Sequence, residues 1–178
     1  MNKLKDIIDI LGMEPLVEEG GLWAKTICSE DILPGGAIDA YTKERPLYGA
    51  IYYLLTPDTF SRMHRLTSNE IWLHHSGPAV RLLLIHPDGK SEIRLLGQDL
   101  AKGERPQILV SRGTWQGAAM DPVSSGGFDS EDGEIYSFMS TTMTSEYLDS
   151  DYETATFEEL KSYVDETNLD LLKLLTCE

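Results

Sequence analysis

Cationic residues are scarce in this chain of 178 residues: 15 Lys and Arg stand against 30 Asp and Glu, a net charge of −15 with a pI near 4.5. A surface of that sign repels phosphate backbones and anionic lipid heads, so neither nucleic acid nor a membrane is expected as a partner. Cysteine is almost missing. Cys28 and Cys177 lie far apart and form no C-x-x-C pair, which leaves at most one disulfide and points to a reduced, cytoplasmic protein. No apolar run is long enough to span a bilayer, and the N-terminal Met1–Asp6 segment lacks the apolar core of a signal peptide. A Ser-His-Asp arrangement and a phosphate-cradling glycine loop are absent too, as are internal repeats and linkers. One domain is expected over 1–178, with a barrel core at about 20–145 and a helical tail at about 156–176.

What is present is mostly strand-like. With 41% apolar residues the chain suits an ordinary folded core. Leu4, Ile7, Ile8 and Leu11 recur at helical spacing before Gly12, which predicts a short amphipathic helix. Residues 29–46 hold two prolines and Gly35-Gly36 and read as a loop. Strands are expected at 48–55, 61–66, 70–75, 80–85, 91–96, 107–110, 114–119 and 135–143, with Asp88-Gly89 as a hairpin turn. The Ser-, Gly- and Asp-rich 120–134 segment reads as a surface loop, and the acidic 146–159 segment as a solvated face. Thr156-Phe157-Glu158-Glu159 fits a capping box opening a helix, and a second helical piece is expected at 168–175. Many short strands with regular turns indicate an all-β sandwich or barrel.

Ser61–Gly77 concentrates the chemistry: three of the four histidines, Glu70 and Trp72 fall between apolar runs. Polar groups in such company are costly to bury unpaired, which makes the stretch a candidate pocket. Strand alternation puts Arg62, His64 and Leu66 on one face, and Glu70, Trp72 and His74 on one face after the turn. An inward His64 and Glu70 would meet across the hairpin. Such a pair binds a metal, transfers protons, orients a ligand, or only pins the hairpin by a buried hydrogen bond. An inward Arg62 would need an anion, either Glu70 or a ligand carboxylate or phosphate. His86, before Pro87-Asp88-Gly89, belongs to a solvated turn.

His64-x-Leu66-x-x-x-Glu70 with Gly77 resembles the first cupin motif, and Ser111 to Gln116 sits where the second would fall. Glu19-Gly20-Gly21, Ile51 to Leu55, Ser61-x-x-His64-Arg65, Glu70-Ile71-Trp72, Pro87-Asp88-Gly89, Leu96-Gly97 and Gly113-x-Trp115-Gln116 together resemble the cupin-5 group, a family of unknown function. The resemblance implies a cupin jelly-roll β-barrel with short N- and C-terminal helices. Metal-binding cupins use three histidines and a glutamate; here Leu66 and Gln116 stand at two of the histidine positions.

The resemblance implies a barrel that binds a small polar or sugar-like molecule, as a metal-independent isomerase or epimerase. The expected catalytic residues are His64 and Glu70, with Tyr53, Arg62, Trp72, His74, Trp115 and Gln116 as ligand-binding residues. The alternatives are a metal-dependent enzyme with the reduced set His64, Glu70 and Gln116, and a non-catalytic binding protein. No cofactor is expected in the first reading and a divalent metal in the second. A homodimer is also implied, with the strand around Trp23–Ile27 as an exchanged or docked element.

Overall fold

The apolar runs fold into two antiparallel sheets laid face to face, in a computed structural model that describes residues 4–121 and 135–177. Helix α1 (Leu4–Leu11) leads into β1 (Glu14–Pro15), β2 (Leu22–Cys28), β3 (Ile32–Leu33), β4 (Arg45–Pro46) and β5 (Gly49–Leu55). Then come β6 (Phe60–Arg65), β7 (Asn69–Ser76), β8 (Val80–Ile85), β9 (Ser91–Leu96) and β10 (Gln107–Val110). Strands β11 (Trp115–Met120), β12 (Ser137–Thr144) and β13 (Glu153–Thr154) precede helices α2 (Phe157–Leu160) and α3 (Leu169–Leu175). One sheet has the order β1-β2-β5-β12-β7-β10 and the other β13-β6-β11-β8-β9, with β3-β4 a separate ribbon. This is the expected jelly roll. Of the loop expected at 120–134, Met120 instead ends β11 and the part at 122–134 lies outside the described residues. Among the described residues no helix is long and apolar enough to cross a membrane. Cys28 and Cys177 are free and exposed, so no disulfide joins them.

The unbroken apolar text of β8 has a direct cause: both of its faces are buried. Leu82 and Leu84 point between the sheets, where they pack with Tyr53, Trp72, Ile108 and Met139. Leu83 and Ile85 point outward under the C-terminal helices, against Leu172 and Leu175. A third cluster joins α1 to the outer side of the first sheet through Ile7, Ala24, Leu54 and Tyr136. Glu159 accepts from Thr156 N (2.9 Å) and its hydroxyl (2.7 Å), so the capping box forms, although α2 runs only four residues before a 3-10 turn.

Strand β6 departs from simple alternation. Gln116 pairs with His64 and Ala118 with Ser61, so Gly117 alone opposes both Arg62 and Met63. This β-bulge shifts the phase of the strand. Met63 joins the outer cluster under the helices, while Ser61 and His64 are both buried toward the barrel interior. Gly117 leaves room there, since a Cβ would meet Met63 and Leu175. Arg62 therefore does not share His64's face, which corrects the alternation reading. Its guanidinium turns to the Glu18 carbonyl at 3.5 Å.

One buried ion pair fixes the segment after β12. Arg45 Nη1 lies 2.6 Å from Asp151 Oδ2, with both side chains at most 4% exposed. Asp151 also accepts from Thr67 Oγ1 (2.7 Å) and Leu148 N (3.0 Å), and the Arg45 guanidinium covers the Tyr41 ring at 4.3 Å. Removing one partner of a buried pair leaves an uncompensated charge and costs about 3–5 kcal/mol. Asp151→Ala should lose about that much unfolding free energy in denaturant titrations. The double variant Arg45→Met/Asp151→Leu should be more stable than either single change, and additive losses would contradict this account.

Candidate functional site

A cavity of about 440 Å³ opens at one end of the barrel. Its walls come from Leu16–Glu19 before β2, the inward side of β2, β5 and β12, and the Glu146–Tyr152 segment, with Glu70 on its floor. Gly20 and Gly49 make this shape possible. Gly20 has φ +102° and its α-carbon faces the Phe60 carbonyl so closely that a Cβ would collide, which seats the Glu19 turn on β6. A Cβ on Gly49 would run into the Glu146 carboxylate. Glu19 is held by Ser61 Oγ (2.5 Å), while its backbone carbonyl accepts from Arg62 N. Tyr53 donates to the Gly20 carbonyl at 2.8 Å.

Below the cavity, Gln116 stands between the two sheets. Trp72 Nε1–H, a donor with no acceptor capacity, reaches Gln116 Oε1 at 3.0 Å. That contact settles which end of the amide is which. The amide nitrogen consequently faces Glu70 Oε2 at 2.6 Å and His64 Nε2 at 3.2 Å. His64 Nδ1 donates to the Arg62 carbonyl at 2.7 Å, which leaves Nε2 to accept from the amide. Glu70 Oε2 lies 3.2 Å from Trp72 Nε1 as well. The Tyr152 ring stacks on His64 with centroids 5.1 Å apart and an interplanar angle of 21°.

Burial pushes the Glu70 carboxyl above the ordinary carboxylate range, and the nearby Glu19 charge adds to the shift. Burial first, then the Glu19 charge, also raises the Tyr53 and Tyr152 phenols, and Tyr147 is pushed up to about 12 by burial and by Asp149. These shifts share one origin: carboxylates crowd a poorly hydrated space. Glu70 is thereby a carboxyl whose proton is held more tightly than in water, in contact with the cavity.

The expected site residues separate into three groups. Glu70 lines the cavity. His64, Gln116, Trp72 and Tyr53 are each about 1% exposed and form the layer beneath it. His74, Trp115 and Arg62 are elsewhere. His74 bonds the Pro78 carbonyl at 3.1 Å, away from the floor, and burial lowers its pKa. Trp115 faces out of the barrel, beneath the Arg65 guanidinium at 4.6 Å and beside the C-terminal helices. Residues that sequence reasoning missed make up much of the wall: Trp23, Lys25, Glu146, Tyr147, Asp149 and Tyr152. The 146–152 segment is thus a cavity wall rather than a solvated face.

A transition metal fits this arrangement poorly. The amide N–H groups of Gln116 occupy the space between the two donors, and its oxygen is engaged by Trp72. Leu66 offers no donor. Among the described residues no three His, Cys, Asp or Glu side chains converge as ligands.

The profile described as Cupin superfamily (DUF985) matches residues 5–155. A solved protein from Shewanella oneidensis is similar at 29% identity and TM-score 0.79, covering 99% of both chains. A hypothetical protein from Leishmania major is similar at 26% identity and TM-score 0.79, covering 99% of this chain and 100% of that one. A cupin 2 conserved barrel domain protein from Rhodopseudomonas palustris shares the fold alone, at 9% identity and TM-score 0.55 over 89% and 85% of the chains. No curated protein matches the sequence.

The raised Glu70 carboxyl sets a pH signature for folding. Its proton is held more tightly in the folded than in the unfolded chain, so its contribution is full below the unfolded carboxylate value and is lost as pH rises through the folded one. Glu70→Gln removes that loss. The melting temperature of the variant relative to the wild type should climb between pH 4 and pH 8. A difference that stays flat with pH would remove the basis for the shift.

Proposed function

The chain belongs to the cupin superfamily family DUF985, and from that premise we propose that its barrel binds a small, hydroxylated, sugar-sized molecule and moves a proton on it without a resident metal. The observation that carries this reading is the buried Glu70 carboxyl at the floor of a 440 Å³ cavity, backed by a locked amide. A cavity of this volume is within the range of small-molecule sites. Trp23, Tyr147 and Tyr152 offer ring faces to a sugar, and Thr141 and the carboxylates offer acceptors and donors for its hydroxyls.

Glu70 is the group that touches the ligand. Its proton can pass to a ligand oxygen, and the carboxylate left behind is stabilised by the Gln116 and Trp72 N–H groups. A carboxyl that gives its proton to one ligand atom and, as the carboxylate, takes one back from another is unchanged over a cycle, which suits isomerisation or epimerisation. His64 acts one step back as a positioning residue, holding the amide through Nε2. Its other neighbour is Glu19, whose Oε2 lies 4.0 Å from that same nitrogen.

Protein purified without a chelating tag should carry far less than one equivalent of iron, zinc, manganese or nickel by elemental analysis. Stoichiometric metal would overturn the metal-independent reading. In a screen of common hexoses by amide chemical shifts, the cavity-wall resonances should move for the wild type and stay still for Glu70→Ala.

The proposal extends to a second copy of the chain. Strand β2 pairs with β1 only at Trp23 and Leu22, its later residues are exposed, and Ile27 is 54% exposed. An open edge of this kind favours pairing with another strand. Sedimentation across micromolar concentrations should give a dimer, and a monomer throughout would refute this extension.

A further inference from the structure

Strand β7 is apolar on both of its faces, as β8 is. Trp72 packs between the sheets, and alternation turns Ile71 and Leu73 outward, where they are partly buried. The outer side of β8 is covered by the C-terminal helices, through Leu172 and Leu175. On the outer side of the first sheet the packed cluster is that of α1, which sits on Ala24, Leu54 and Tyr136 and includes no residue of β7 or β10. A strand apolar on two faces and covered on one leaves apolar surface for a partner.

The register shows how far this face extends. One row crosses the sheet through Ile27, Ala50, Thr142, Ile71 and Leu109. The next runs through Tyr52, Ser140, Leu73 and Gln107. Neither row holds a charged residue. Ile27 and Leu109, at opposite ends of the first row, are 54% and 56% exposed. Beyond the second row, Phe138 lies between Tyr52 and His75 with ring centroids 5.3 and 5.2 Å away. Burial lowers the His75 pKa, so its ring is uncharged at neutral pH. A groove of about 280 Å³ separates Tyr52 and Phe138 from α1, and Ile10 on that helix is 75% exposed. Five strands about 4.8 Å apart and three rows about 7 Å apart cover roughly 500 Å². That is most of the ~800 Å² that each partner buries in a stable dimer.

Charge selects the occupant. At −15, two copies of this chain repel wherever their surfaces are acidic. A cationic partner would be drawn to that acidic surface, whereas a like-charged copy is accepted only where charge is missing. A two-fold axis brings the same patch to both sides of a contact. An uncharged face meets this condition without opposing like charges.

We infer that two copies of the chain meet through the outer face of the first sheet, packed sheet on sheet about a two-fold axis. This rests on the second-copy reading above and moves the main contact from the β2 edge to the face. Ile27 belongs to both, so the two surfaces are continuous. The strands that carry Ile51, Thr141 and Glu70 into the cavity would then be backed by the partner.

Sedimentation of the full chain with single charges placed on and off the face tests the inference. The wild type should dimerise at micromolar concentration. Leu109→Glu, on β10 and four strands from β2, should raise the dimer dissociation constant about 100-fold, because each copy would bury an unpaired charge. Leu174→Glu, at an exposed apolar position on α3, should leave it unchanged. Circular dichroism and melting temperature establish that both variants are folded. Raising the salt concentration should tighten the dimer by screening the remaining repulsion. Weakening by salt would assign the contact to ion pairs, which this face lacks, and would overturn the inference. In the wild type, a soluble paramagnetic probe should spare the methyl groups of Ile71, Leu73 and Leu109 and broaden those of Leu174. Equal broadening overturns the face contact without any variant. If Leu109→Glu dimerises as the wild type does, the face is overturned and the β2-edge reading stands. If Leu174→Glu dissociates as well, the effect is general charge repulsion and the face loses its role. A wild type that is monomeric throughout defeats both readings.

Discussion

A single primary amide holds the two sheets of this barrel in register at their centre. Gln116 belongs to one sheet, yet it donates to Glu70 and accepts from Trp72 on the other, and touches His64 on its own. Each partner is nearly sealed from solvent; without the amide His64 Nε2 would lose its donor, at about 1–3 kcal/mol, and Trp72 Nε1 and Glu70 Oε2 would keep only their mutual contact at 3.2 Å. The network is closed because its members have complementary capacities. Trp72 can only donate, Glu70 when ionised can only accept, and the amide has both kinds of atom. This closure gives the floor one arrangement and leaves its metal-like geometry occupied by protein.

From that floor the rest of the site is built by long-range anchoring. The acidic wall at 146–152 has only the 3-10 turn Asp149–Asp151 as regular structure. Asp151 ties it to Arg45 across 106 residues of sequence, and Gly49 gives up its side chain so that Glu146 can lie against β5. The Glu19 turn is fastened from the other side by Ser61 and by the Arg62 amide. A cavity whose walls carry like charges is thus held together by a few hydrogen-bonded clamps, with five of the chain's 30 acidic residues lining it.

The jelly roll and the strands were legible because alternation and unbroken apolar runs report burial directly, as β7 and β8 illustrate. The capping box at Thr156 was legible because it needs only four residues of local text. His64 and Glu70 were legible as inward neighbours for the same local reason. Arg62 was not, because its orientation depends on a bulge set by Gly117 on a partner strand over 50 residues away. Trp115 lies outside the barrel for a reason that is local: adjacent strand residues face opposite ways, and Gln116 takes the inward position. The acidic wall escaped because its burial is decided by Arg45, and composition alone reads such a segment as solvated. Glu146 and Tyr152 carry no local signal that distinguishes a lining residue from a surface one.

The bulge in β6 has a consequence for how this strand tolerates change in length. Its first half serves the Glu19 turn and its second half serves the floor, and the extra residue is the joint between the two reading frames. Deleting Arg62 or Met63 would return β6 to plain alternation and leave the imidazole inward, opposite Gln116. The extra residue belongs instead to the wall, where the Arg62 amide is free of the ladder and donates to the Glu19 carbonyl. In this barrel the bulge serves the rim of the cavity, and the floor would keep its imidazole without it.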